Sequence, residues 1–154
     1  MDKDVEQLKE LASTFRLLTG KIILIRLMNQ AKAEYDKCNF ENCRRLLIEA
    51  YLKDKKNSAI LRGLGCIKQF DGKWNSAIRY FNMALKYSKK QEVEYTLLGM
   101  AYYLQDKLDR AITYFNLAID KNDNYIPAYD KRNQAMLENH LKIIDLQESL
   151  KKYL

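Results

Sequence analysis

Glycine and proline are scarce in this 154-residue chain, at five and one respectively. An all-β fold needs a turn about every 8–12 residues and draws on both to make them, so the expected class is all-α with short connections. Long apolar runs are missing too. Stretches such as Ile22 to Ile25 fall far short of the roughly 20 residues that a bilayer span requires. The opening Met1-Asp2-Lys3-Asp4 is acidic and no apolar stretch precedes Gly20, so the expectation is a cytoplasmic protein without a secretory leader. His140 is the sole histidine, which removes any multi-histidine metal site and leaves a Cys-His or Ser-His catalytic pair dependent on one residue. Cys38, Cys43 and Cys66 form no C-x-x-C pair, and an odd number cannot close into a disulfide framework. Reduced thiols, no metal, no cofactor and no catalytic constellation are expected.

What is present is enough apolar sequence for one domain, 47% hydrophobic against 31% charged, organised by an internal period. Shifting the chain by 34 residues places Gly65 on Gly99, Ala77 on Ala111, Tyr80-Phe81-Asn82 on Tyr114-Phe115-Asn116 and Ala84 on Ala118. The same step backwards sets Ala31, Cys43, Leu47 and Ala50 against Gly65, Ala77, Phe81 and Ala84, so size class persists where identity does not. Contiguous units follow at 24–57, 58–91 and 92–125. Each reads as two helices, the first ended by Cys38-Asn39, Asp71-Gly72 or Gln105-Asp106 and the second starting near Phe40, Trp74 or Leu108. Small residues at 65/99 and 77/111 let the two helices approach closely, with Phe81 and Phe115 filling the space beside them.

On these residues the chain resembles the tetratricopeptide repeat family. The third unit carries Tyr95, Leu98-Gly99, Tyr102, Ala111, Phe115 and Ala118, with Asp123 at the family's closing Pro. The second carries Leu61, Leu64-Gly65, Ala77, Phe81 and Ala84, with Lys68 replacing the aromatic. Tyr125-Ile126-Pro127-Ala128-Tyr129 looks like the start of a fourth first helix, but Asp145, Ser149 and Lys152 stand at its Ala, aromatic and Ala positions. Residues 126–154 are accordingly expected to be a partial fourth repeat or C-terminal capping helix. Val5, Leu8, Leu11, Ala12, Phe15 and Leu18 lie outside the repeat register, making 1–23 an expected N-terminal capping helix. The resemblance implies a right-handed superhelical solenoid whose first helices line a concave groove.

By the same resemblance the groove falls to Met28, Lys32 and Tyr35 of the first unit, Arg62 and Phe70 of the second, and Leu97, Met100, Tyr103 and Leu104 of the third. Much of that set is apolar, as a groove for a partner peptide or amphipathic helix would be. The competing expectation is that a terminal helix, Val5 to Leu18 or Leu141 to Leu154, folds in and covers it. Self-association through terminal helices is a further expectation. The resemblance implies a non-catalytic adaptor or scaffold, with a chaperone for an export or secretion segment as the alternative. Its co-chaperones grip acidic heat-shock tails with Lys, Asn, Asn, Lys and Arg; the matching Met28, Lys32, Gly63, Val93 and Leu97 do not form that clamp.

Gly63-Leu64-Gly65 lacks a preceding strand and has Lys68 in place of a third glycine, so it is no dinucleotide fingerprint. Cys43 occupies a small-residue position and reads as core, while Cys66 projects toward the groove. The second unit holds seven basic residues against one acid and the third three against six. Lys73, Arg79, Lys86, Lys89 and Lys90 fall on second helices or the following turn, a solvated face. RNA binding through it is a second alternative, since net charge speaks to association and not to partner identity.

Overall fold

A computed structural model describes residues 2–151; Lys152 and the end of the expected 126–154 element lie outside the described residues, as does Met1. Seven helices and no strand occur among the described residues: α1 (Asp2–Asp36), α2 (Phe40–Lys53), α3 (Ser58–Phe70), α4 (Trp74–Leu85), α5 (Gln91–Tyr103), α6 (Leu108–Lys121) and α7 (Ile126–Lys151). The architecture is an all-α helical repeat. The chain divides into two compact units, one of α1 and α2 ending at Lys55, the other of α3 to α7 beginning at Lys56.

Local chemistry sets the helix boundaries. The turns within the three hairpins each need one left-handed residue, and these recur at the 34-residue period: Cys38 (φ 58°), Gly72 (φ 71°) and Asp106 (φ 61°). Only Gly72 meets that backbone without a Cβ penalty. Asn39 caps α2 by accepting from the Asn42 amide, and Asn57 caps α3 by accepting from the Ala59 and Ile60 amides. Lys73, Lys90 and Lys107 precede α4, α5 and α6 and supply no such bond. Those helices rely on burial of one face instead, Ala77, Phe81 and Ala84 on α4 and Leu108, Ala111, Phe115 and Ala118 on α6.

In the first unit, Leu27 and Ala31 of α1 are buried together with Cys43, Leu46, Leu47 and Ala50 of α2. No break occurs near residue 23. Gly20 lies inside α1 with open space around it, and α1 runs unbroken through the start of the first repeat. In the second unit each helix packs on the next. Ala77, Phe81, Leu98 and Ala101 form one buried cluster, and Ala111, Phe115 and Ala135 another. A Cβ on Gly65 would stand 2.4 Å from Cε1 of Phe81, and one on Gly99 2.5 Å from Cε1 of Phe115. Each glycine is therefore the seat of a phenylalanine ring from the second helix of its own hairpin, and a methyl group there would force the ring out of place.

α7 opens as another first helix, burying Ala128 and Ala135, but it does not turn at residue 140. His140, at the left-handed position by the repeat period, stays helical and exposed, and all side chains from 140 to 151 are exposed. No second helix folds back among the described residues.

Candidate functional site

The candidate groove residues divide between the two units. On α1, Met28 is half-buried and Lys32 exposed, while the Tyr35 ring meets Phe40 edge to face with centroids 5.5 Å apart. The other six belong to the second unit. Phe70 and Leu104 occupy the same repeat position beside the C-terminal ends of α3 and α5, and are 63% and 41% exposed. Leu97 packs against the Ala77–Phe81–Leu98 cluster together with Cys66, and Met100 and Tyr103 against the Ala111–Phe115–Ala135 cluster.

Tyr103 carries more than packing. Its hydroxyl donates to Oε2 of Glu138 on α7 and accepts from Nε2 of Gln134 at 3.2 Å. The hydrogen bond to Glu138, followed by burial and the Glu138 charge, raises its pKa above the ordinary phenol value. Lys142 of α7 reaches Asp106 and, at 3.6 Å, Glu138; Asn139 donates to Asp109 at 3.1 Å. The part of the C-terminal region that engages α5 and its following turn is thus 134–142, and the 141–151 side chains remain exposed. Val5 to Leu18 are exposed as well, so neither stretch expected to cover the groove is buried among the described residues.

Arg62 of α3 has a partner that the residue pattern did not single out. Its Nε lies 3.4 Å from Oε1 of Glu94 on α5; the Arg62 side chain is 33% exposed and that of Glu94 is fully buried. Neither Glu94 oxygen accepts a hydrogen bond among the described residues, so the guanidinium charge is the main compensation for a desolvated carboxylate. Tyr125 stands close enough to feel both. Burial first, then the charges of Glu92 and Glu94, push its pKa up, and Arg62 opposes them. The signal for Glu94 was in the period: 34 residues before it stands Ile60 and 34 after it Ala128, both buried. A carboxylate where the repeats on either side bury apolar residues marks an ion pair or a partner contact.

Cys43 is buried and its thiol is pushed up by desolvation, as a core residue would be; Cys38 is exposed and Cys66 half-buried. No group of three or more His, Cys, Asp or Glu suited to a metal ion occurs among the described residues. No helix among them is long and apolar enough to cross a membrane. An open cleft of about 510 Å³ lies between the turns of adjacent hairpins, lined by Gly72, Trp74, Gln105 and Lys107 among others.

No protein-family profile matches the chain. No curated protein sequence matches it either. Solved structures do. The first tetratricopeptide domain of Spaghetti (RPAP3), bound to an HSP90 peptide, superposes with a TM-score of 0.68 at 13% identity, covering 76% of this chain and 93% of that one. The Yersinia enterocolitica type III secretion chaperone SycD, in complex with a peptide of the translocator YopD, gives 0.67 at 17%, covering 75% and 94%. A Thermobaculum terrenum O-GlcNAc transferase gives 0.71 at 17%, covering 76% of this chain but 22% of the enzyme. Likeness at this identity is one of fold, and with the 34-residue period, the glycine-seated phenylalanines and the stacked hairpins it shows that the chain has the tetratricopeptide repeat fold.

Proposed function

We propose that the chain is a non-catalytic adaptor that binds a peptide or helix of a partner protein on the face formed by α3 and α5. The observation that carries this is the combination of exposed Phe70 and Leu104, one repeat apart, with Arg62 held in place by buried Glu94. Apolar anchors one repeat apart suit side chains of an extended or helical segment, and a charge held two turns before Phe70 on the same helix orients it. One structural relative holds an HSP90 peptide and another a peptide of a translocator, which supports the class of ligand. The proposed site comprises Arg62, Phe70, Leu97, Met100 and Leu104, with Tyr103 shared between this face and α7. Met28, Lys32 and Tyr35 are proposed as a separate contact surface of the first unit.

The chaperone likeness favours a second reading, in which the segment held belongs to an export substrate. Partner capture followed by calorimetry on the recovered segment tests both. Phe70→Ala with Leu104→Ala is expected to weaken binding at least 10-fold, against less than about 2-fold for Lys86→Ala with Lys89→Ala. Affinity that collapses between low and physiological salt, with the lysine variants dominating the loss, would replace the adaptor by an RNA binder acting through the basic face.

A further inference from the structure

α1 has two apolar faces, and α2 uses only one of them. Leu24, Leu27, Met28 and Ala31 lie toward α2, with Leu27 and Ala31 buried. At 100° per residue, Leu8, Leu11, Phe15, Leu18, Ile22 and Ile25 centre about 160° away, on the opposite side of the same helix. All six are between 52% and 74% exposed. Their spacing alternates three and four residues without interruption, the a and d positions of successive heptads. The exposed apolar residues of α7 do not sustain such a seam, because Leu137, Leu141 and Ile144 lead next to Glu148, and Ile143, Leu146 and Leu150 follow Asn139.

We propose that this seam pairs with the same seam of a second copy, as an antiparallel coiled coil centred between Phe15 and Leu18. The core layers are then Leu8 with Ile25 of the partner subunit, Leu11 with the partner's Ile22, and Phe15 with the partner's Leu18, each occurring twice. Charge selects the orientation. A parallel pair would bring Lys21 against the partner's Arg26 on both flanks, two repulsive contacts. The antiparallel pair sets Lys21 beside the partner's Thr14 and Arg26 beside the partner's Val5, with no like charges at the seam. It also brings the Glu6–Glu10 end of each helix toward the partner's Lys21–Arg26 end and opposes the helix dipoles. The twelve core side chains bury roughly 60–120 Å² each, on the order of 1,000 Å² before the flanking Val5, Ala12 and Thr19 are added, which approaches the lower bound of stable interfaces.

Sedimentation of the full chain over a concentration series tests this. The expected result is a reversible dimer at twice the 18.2 kDa chain mass. Phe15→Glu and, separately, Leu18→Gln are expected to raise its dissociation constant at least about 30-fold while helical circular dichroism is retained. Thr14→Glu, facing the partner's Lys21, is expected to tighten it about 2- to 10-fold at low salt, and Lys21→Glu to leave it within about 2-fold. A monomer at all concentrations, including one that binds lipid vesicles or another protein through this face, overturns the proposal. So does a dimer indifferent to both seam variants. Tightening by Lys21→Glu instead of Thr14→Glu overturns the antiparallel arrangement.

Discussion

At the residue scale the Arg62–Glu94 pair is the most consequential feature, because a fully buried carboxylate whose oxygens accept no hydrogen bond is stable only with its cation beside it. The two ends of the pair should therefore respond asymmetrically. Arg62→Ala leaves the Glu94 charge buried and alone, and is expected to cost up to about 3 kcal/mol in urea unfolding. Glu94→Ile copies the apolar residue found one repeat earlier and is expected to be neutral or stabilising. Equal losses from the two substitutions would mean that the pair contributes through packing and not through charge compensation. The glycines belong to the same scale and were fully legible in the residue pattern: small at 65 and 99, aromatic at 81 and 115, and in contact as those sizes require. The left-handed backbone of Cys38 is not announced by its residue type, whereas Asp106 belongs to the types enriched there, and the 34-residue alignment with Gly72 marks both positions.

Among the elements, the N-terminal helix departs most from expectation. The apolar matches near residue 24 announce the first repeat, yet nothing in Gly20-Lys21-Ile22-Ile23 interrupts the backbone ladder, and the flanking stretch joins the repeat in one helix. At the other end Ala128 and Ala135 read as a first helix and pack as one, but the turn at 140 does not form and α7 continues to Lys151. Besides the apolar packing of Ala135 with Met100 and Tyr103, polar contacts hold α7 on α5 and its turn, with Tyr103 donating to Glu138 and Lys142 paired with Asp106. Both Tyr103 and Lys142 have raised pKa values, so each favours folding while protonated, and its contribution fades as pH rises through the raised value. The window lies above pH 10, the ordinary value for a phenol. Tyr103→Phe is expected to cost about 1 kcal/mol at pH 7 and to narrow its deficit against the unsubstituted chain as pH rises above 10, read from thermal melts of both. A deficit independent of pH would place the role of Tyr103 in its ring alone.

On the scale of the whole molecule, kinship of fold and identity of ligand come apart. The chain superposes on a domain bound to an HSP90 peptide, yet the positions matching the acidic-tail clamp hold Met28, Lys32, Gly63, Val93 and Leu97, which offer one cation and no asparagine. A synthetic acidic heat-shock tail is accordingly expected to show no saturable binding in calorimetry up to about millimolar peptide, because its carboxylates would face apolar side chains. Submicromolar affinity would refute this and relocate the ligand site to the basic residues of α3 and α4.

The sequence by itself determined the helical class, the 34-residue period, the hairpins and the Gly–Phe contacts. These follow from size and polarity repeated at fixed spacing, and each repeat unit buries its face only against its neighbours, so local pattern and packing coincide. Only the tertiary structure decided that Glu94 is buried against Arg62 and that Tyr103 is engaged by Glu138. It also decided that a heptad seam stands on the side of α1 away from α2. Residues 32 or 35 positions apart meet through the direction in which side chains leave adjacent helices, and a charged group at an apolar position says that it needs a partner without saying which.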